Sequence, residues 1–564
     1  MLDIFKTNIA TQLVNLTGLD AGIVKNAIEV PDTSKHGDLA LSAARLRTET
    51  NPVQLAQTVA EQFTPNEYIA GATATGPYVN FQVSHGTLAR HVLPVVHQTG
   101  DAYGRSNMGT GRRVVVDFSS PNIAKPFHVG HMRSTIQGNF VCNLHKLHGW
   151  DVVAMNYLGD WGTQYGLLAI GFDQMGSEHE LVDDPIMHLY RVYVAINQKA
   201  KEDPSVKEDA RAYFKKMEDG DPTALAQWQR FRALSIDKYM EVYGRLGIHF
   251  DVYSGESHVS EGMDRAISAL KDAGLLGHYK GAQIVCQDDK SLGTLVVKKS
   301  DGASTYLLRD IGAAIERHDA YHFDKMIYVV GAEQECHMKR IFKTVGLLGL
   351  PFDGTLHHVG FGKVAGMSTR EGDVVFLDEL LDQSSDKMHG VMRKTPEKYA
   401  SLEEPEHTAS VLGQSCVYIQ DMSAKRSKGY RFELSRVLSF EGNTGAYLQY
   451  THVRLCSLAR KHGVLVDLGA TDFDLLSEKL AKDIVLLVAQ YPDTLAAAMQ
   501  SLEPCVVVQY LFALCHAVSA ALEELRVGGQ SLPLAHARMA MYQAARIVIA
   551  NALLLLGIPP LERM

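Results

Sequence analysis

RRVVVDFSSPNIAKPFHVGHMRSTIQGN, residues 112–139, decides the fold of this chain. Arg112 to Phe118 reads as a buried strand, with the β-branched Val114 to Val116 as a continuous apolar run. Ser119 to Pro126 is a loop punctuated by two prolines. A helix is predicted to open near His128, because Met132, Ile136 and Phe140 then share one face. Strand, loop and helix in this order make the phosphate-binding corner of a doubly wound α/β sheet. The helix start offers unpaired N–H groups and the positive end of a dipole to an anion.

The corner carries an uncommon set of side chains. His128 and His131 stand three apart on the first turn. Gly130 lies between them, where a missing side chain lets a flat ring approach the backbone. Lys125 precedes them as a point charge for phosphate. A His-x-x-His pair is also half of a zinc site, but no Cys, Asp or Glu ligand lies near it in sequence, and zinc catalysis usually needs three protein ligands. As helix-start histidines without a task, the pair needs no ligand at all. The string His128-Val129-Gly130-His131 resembles the HIGH signature of class I aminoacyl-tRNA synthetases. Its wider context, SSPNIAKPFHVGHMRST, resembles the arginyl-tRNA synthetases in particular.

Composition is compatible with that resemblance without pointing to it. The 564 residues suggest several domains, and 46% hydrophobic with 21% charged content is ordinary for a globular protein. The net charge of −9 does not advertise nucleic-acid binding, which needs a local basic face and not a basic average. Seven scattered cysteines without a CxxC pair suit a reducing compartment and give no expectation of a structural zinc. No apolar run is read as the roughly 18 residues of a membrane span. The first residues, MLDIFKTNIATQLVNLTG, are neither a clear signal peptide nor a clear transit peptide.

Residues 1–108 read as a separate α+β domain, with helical patterns over 2–17 and 53–63. In ATGPYVNFQV a turn at Gly76-Pro77 leads into a strand. Tyr78 and Asn80 share one face of it and Val79 and Phe81 the other. An aromatic beside an amide suits an unstacked base, although an ordinary strand has the same pattern. Residues 109–375 form the nucleotide-binding core, a Rossmann-type doubly wound parallel sheet interrupted by an insertion over about 172–300. WDVVAMNY is its next strand, and NYLGDWGTQYG a Gly-rich turn at the carboxyl end, where ligands of such sheets lie. The charged run KAKEDPSVKEDARAYFKKMEDGD reads as a solvated helical face. Tyr306 and Asp310, four apart, share a face of a first helical turn. DKMIYVVGAEQ is a buried strand that presents Gln334 at its end, and HHVGFGKVAGMSTREGDVV a strand followed by a Gly, Ser and Thr loop. Residues 376–564 read as an all-α bundle of long amphipathic helices.

The resemblance runs nearly end to end and implies an arginine–tRNA ligase. Its substrates would be L-arginine, ATP with Mg²⁺ and tRNA(Arg). Gly366-Met367-Ser368-Thr369-Arg370 resembles the second class I signature, KMSKS, with its first lysine replaced. Lys125 is then the natural cation for the triphosphate, with Arg370 a second candidate, because charge builds on the leaving pyrophosphate. The family positions imply an arginine site of Asp117, Asn122, His131, Glu256, Tyr306, Asp310 and Gln334. They imply an ATP site of Lys125, His128, Gly130, His131, Met367 and Ser368. His128, His131, Lys125, Ser368 and Arg370 would carry the chemistry. GDLAL and GPYVNF resemble the family's extra N-terminal domain, which implies a tRNA D-loop contact at Tyr78 and Asn80; the third position of that contact falls on Thr75. GNTGAYLQY implies tRNA contacts at Asn443, Tyr447 and Gln449 in an anticodon-binding bundle. Of the basic residues there, Lys425, Arg426, Lys428, Arg454, Arg460 and Lys461 are candidates for phosphate contacts. A monomer serving the cytoplasm is expected, with mitochondrial service a second possibility. The alternative is a catalytically silent relative that only binds tRNA.

Overall fold

A computed structural model describes residues 1–31, 36–127, 129–365, 376–433, 442–464 and 466–564. His128 and residues 366–375, with Met367, Ser368 and Arg370 of the second signature, lie outside the described residues.

Near the N-terminus, Ile28–Glu29 (β1), Leu39–Ser42 (β2), Ile69–Thr75 (β3) and Tyr78–Val83 (β4) form an antiparallel sheet in the order β1-β2-β4-β3. Gly76 at φ +57° permits the two-residue connection of the β3–β4 hairpin, which pairs Thr75 with Tyr78. Val79 and Phe81 point into the core and Tyr78 to solvent. The helix His85–Thr99 then runs against Lys479–Ser501 and Leu532–Leu555 of the C-terminal bundle. Lys482 reaches back to the buried Asp38 at 2.7 Å.

The core sheet is parallel throughout. It comprises Arg113–Asp117 (β5), Asp151–Leu158 (β6), Val252–Gly255 (β7), Lys325–Tyr328 (β11) and Leu356–His358 (β12), in the order β12-β11-β5-β6-β7. A small antiparallel sheet of Leu276–Tyr279 (β8), Ala282–Val285 (β9) and Leu295–Lys298 (β10) lies between β7 and β11 in the chain. Strand order reverses between β5 and β11, whose carboxyl ends are the paired residues Asp117 and Tyr328. A ligand crevice in an open α/β sheet forms at such a switch point.

The histidine helix is Val129–Leu147, and Met132, Ile136 and Phe140 are fully buried against the sheet. It lies very close to β5: a Cβ at Gly138 would stand 2.2 Å from the Phe118 ring. Thr163–Met175 leads into the insertion, which contributes Glu178–Asp183, Pro185–Glu202, Ser205–Glu218 and Pro222–Arg245, all helical. The last of these steadies the corner loop. Ser235 Oγ accepts from Ala124 N at 3.2 Å, and the Tyr239 hydroxyl donates to the carbonyls of Asn122 and Lys125, both at 2.7 Å. Ser119, Ser120 and Ala124 hold positive φ, a strain of roughly 1–3 kcal/mol each that clusters at functional sites.

Among the described residues after Leu377 the regular elements are helices apart from Tyr430–Arg431 (β14), which pairs in parallel with Val364–Ala365 (β13), the segment leading into the second signature. The two join next to a buried hub. Arg133, two residues beyond His131, ion-pairs with Asp421 at 3.2 Å and donates to the carbonyls of Gly362 and Lys428. Gln137 and the Tyr430 hydroxyl donate to the same carboxylate, each at 3.0 Å. Histidine helix, loop base and bundle helix Pro405–Met422 thus meet at one charge pair. One helix, Pro504–Glu524, is long and apolar enough by composition to cross a membrane, contrary to the expectation of no such run. More than half of it is buried in the bundle, as befits a core helix apolar on all sides.

Candidate active site

The corner loop presents its groups at the carboxyl end of β5. Asn122 bridges to Gly159 beyond β6, and a Cβ at Gly159 would overlap its amide oxygen. Glycine there lets the two loops touch. Lys125 is half-buried, with Nζ 5.4 Å from the centre of the Tyr193 ring. It borders a cleft of about 570 Å³ walled by Tyr190, Tyr193 and Phe376. His131 sits on the first turn of the histidine helix with its ring 5.3 Å from that of Phe127, and Gly130 adjoins it.

Three carboxylates gather across the switch point. Asp117 is closed to water; Arg317 approaches it at 2.9 Å and the Ser120 hydroxyl donates to it at 2.9 Å. Burial pushes the Asp117 carboxyl up, with Arg317 opposing and Asp310 adding to the rise. Glu256, just beyond β7, is raised to about 7, chiefly by burial, against the pull of Arg309 at 3.1 Å. Asp310 and Asp160 push it further in the same direction. Asp310 accepts from or pairs with His337 Nε2 at 2.5 Å. Asp160 is held by Arg232 at 2.7 Å and accepts from Ser257 N and Oγ.

The helix Tyr306–Tyr321 supplies much of this floor. The Thr305 hydroxyl caps it by accepting from Leu308 N. Tyr306, its first residue, is 67% exposed, so its ring is open to a ligand while Arg309 lies over it at 5.5 Å. Gln334 is exposed on the 3₁₀ turn Ala332–Gln334 after β11, at the same end of the sheet. The Tyr157 hydroxyl is buried without a hydrogen-bond partner among the described residues, and it feels Asp310, Glu256 and Asp117. A buried phenol left so costs about 1–3 kcal/mol until something bonds to it.

The structure therefore brings Asp117, Asn122, Glu256, Tyr306, Asp310 and Gln334 to the strand ends of one sheet. Sequence reading missed Arg309, Arg317, His337, Asp160 and Tyr157. Faint signals were present: Arg317 is seven residues past Asp310 on one helix face, and His337 three past Gln334. Among the described residues, no group of three or more His, Cys, Asp or Glu could hold a metal ion.

The positions assigned to tRNA differ among themselves. Tyr78 is 45% exposed, whereas Asn80 is buried and its amide donates to Thr75 Oγ1 at 3.1 Å. Asn443 is exposed and its carbonyl meets His516 Nε2 at 2.9 Å. Tyr447 lays its ring 5.1 Å from that of His516. Gln449 does not fit the expectation of a tRNA contact. It is fully buried, donates to Ser415 Oγ and Pro559 O, and accepts from Leu561 N. Arg426, an expected phosphate contact, instead pairs with Glu503 and donates to Gly360 O.

Sequence and structural relatives match the chain over its full length. The profile of the tRNA synthetases class I (R) catalytic domain matches residues 94–434. The arginyl tRNA synthetase N terminal domain matches 3–83 and the DALR anticodon binding domain 448–564. The cytoplasmic arginine–tRNA ligase of Saccharomyces cerevisiae is 46% identical, over 100% of this chain and 95% of its own. The mitochondrial arginine–tRNA ligase of the same yeast is 42% identical, over 100% of this chain and 89% of its own. The solved arginyl-tRNA synthetase of Thermus thermophilus shares the fold at a TM-score of 0.81, with 20% identity and full coverage of both chains.

Proposed function

The chain belongs to the arginyl-tRNA synthetases and is an arginine–tRNA ligase of class I, and on that premise we propose how its residues divide the work. The observation that carries the assignment is the cluster of Glu256, Asp310 and Asp117 around one switch point, with the Tyr306 ring open beside them. A guanidinium is planar and seeks carboxylates in its plane and an aromatic face above it. Glu256, Asp310 and Tyr306 are assigned to the side chain of L-arginine. Asp117, Asn122 and Gln334 are assigned to its α-amino group, with His131 near the carboxylate.

In the first step the arginine carboxylate attacks the α-phosphorus of ATP, the P–O bond to the β-phosphate breaks, and pyrophosphate leaves. No protein nucleophile is required; positioning and electrostatics carry the step. ATP arrives as its Mg²⁺ complex, a substrate. His128, Gly130 and His131 hold its phosphates through N–H donors, and Lys125 meets the charge that builds on pyrophosphate. Met367, Ser368 and Arg370, of the second signature, are assigned to ATP as well. In the second step the 2′-hydroxyl of the terminal adenosine of tRNA(Arg) attacks the arginyl carbonyl, and AMP leaves. Tyr78 and Asn443 with Tyr447 meet the tRNA at the two ends of the molecule. The working divisions are 1–108, 109–375 and 376–564. The enzyme acts as a monomer in the cytoplasm, the compartment named for the 46% identical yeast relative, although a mitochondrial relative is also similar.

Arginine-dependent exchange of pyrophosphate into ATP, with and without tRNA(Arg), tests this reading. Exchange that appears only with tRNA supports the roles and a tRNA-gated first step. Exchange without tRNA removes the gating, and no exchange while tRNA still binds removes the catalytic roles.

A further inference from the structure

Arg309 stands in an unexpected place for a cation. It closes the first turn of the helix Tyr306–Tyr321, where the dipole favours anions. It nevertheless points its guanidinium at Glu256, with Nη1 donating to Oε2 at 3.1 Å. Its flat side lies over the Tyr306 ring at 5.5 Å, which fixes its approach. Among the described residues the contact is one N–H to one oxygen, which leaves the lone pairs of Glu256 Oε1 for another donor. Both side chains are about four-fifths buried.

We propose that Arg309 is a positioning residue for arginine binding: by bonding one oxygen of Glu256 from a guanidinium laid over the Tyr306 ring, it aims the other carboxylate oxygen at the substrate guanidinium. This rests on the reading of Glu256 as a guanidinium acceptor given above. The charged groups facing Glu256 leave Arg309 as its partner. Asp310, from the same helix, is negative and engaged by His337 of the helix Glu335–Leu347. Asp160, after β6, is negative and engaged by Arg232 of the helix Pro222–Arg245. Burial and these two carboxylates all favour a neutral Glu256, and Arg309 opposes them. A neutral carboxyl would lose the charge-assisted half of a guanidinium contact.

The test is calorimetric binding of L-arginine to the full chain as wild type, R309M, R309K and E256Q, at about pH 7 and two units higher, with the melting temperature of each as a control of folding. The expected result for R309M at pH 7 is an affinity about fivefold weaker or more, because a rise of one unit from about 7 cuts the ionised fraction of Glu256 from about a half to about a tenth. Raising the pH ionises Glu256 without help and restores most of the loss. R309K keeps a positive charge and binds within about threefold of wild type. R309M that binds as well as or better than wild type at pH 7 overturns the proposal, as an internal competitor or bystander would behave so. An equal loss at both pH values overturns it in favour of a packing role. If E256Q binds arginine like wild type, the reading of Glu256 itself fails; if E256Q loses binding and R309M does not, only the role of Arg309 fails.

Discussion

The Arg317 guanidinium stands 2.9 Å from the Asp117 carboxylate, and the two close each other off from water at the end of the central strand. Arg317 also lies over the Tyr157 ring at 4.6 Å, so one residue organises both the carboxylate and the unpartnered phenol beside it. Replacing it with leucine leaves a buried charge uncompensated. Arg317→Leu should lower stability by about 3–5 kcal/mol in a urea titration and raise the KM for arginine. A variant as stable as wild type would mean that water reaches Asp117.

Glu256 makes the protein less stable as pH rises. Its folded carboxyl is raised from 4.5 to about 7, so the stability it contributes is complete below 4.5 and lost as pH climbs through about 7. The difference corresponds to about 3 kcal/mol. Thermal melts of wild type and E256Q should therefore diverge across that window, E256Q keeping the stability that wild type loses. Saturating arginine should narrow the gap above pH 7, because a bound guanidinium favours the ionised form. Parallel curves for the two proteins would refute the shift.

Asn443, Tyr447 and Gln449 lie within seven residues of one another and should separate cleanly. Gln449→Ala removes a buried amide with three hydrogen-bond partners and should cost about 1–3 kcal/mol of stability with no change in tRNA affinity beyond it. Asn443→Ala, at an exposed position, should do the reverse. Filter binding and denaturant melts of both variants decide it, and weak tRNA binding by a stable Gln449→Ala would return that residue to the interface.

Gly138→Ala should push the histidine helix off β5. The added carbon meets the Phe118 ring at 2.2 Å, a distance that neither side can absorb in place. Overpacking of this kind costs about 1–3 kcal/mol or more. Because the same helix carries His131, pyrophosphate exchange should fall by more than arginine binding does. Wild-type stability and exchange would show that the helix has room to slide.

The corner was legible because its signals are local. The valine run gives a strand within one residue of its observed bounds at each end, and the spacing of Met132, Ile136 and Phe140 gives a helix start next to the observed Val129. The hairpin at Gly76-Pro77 carries its own turn chemistry. Arg309 and Arg317 were not legible, since a lone arginine in a helix reads as surface charge and only the folded chain brings Glu256 and Asp117 to it. Gln449 failed for the opposite reason: its string matched a family surface, while its side chain turns inward to hold the segment at Pro559 and Leu561. β14 is two residues long, too short for any periodicity to announce it among helices.

The Arg133–Asp421 pair also sets an order of events during synthesis. The guanidinium lies at the top of the histidine helix, made early, while its carboxylate and the Lys428 carbonyl that shares it leave the ribosome only after every core strand has been made. Until then Arg133 must stay hydrated, and the first turn of that helix cannot close over it. The charge pair that joins the catalytic corner to the bundle can therefore form only after the helix Pro405–Met422 has been made.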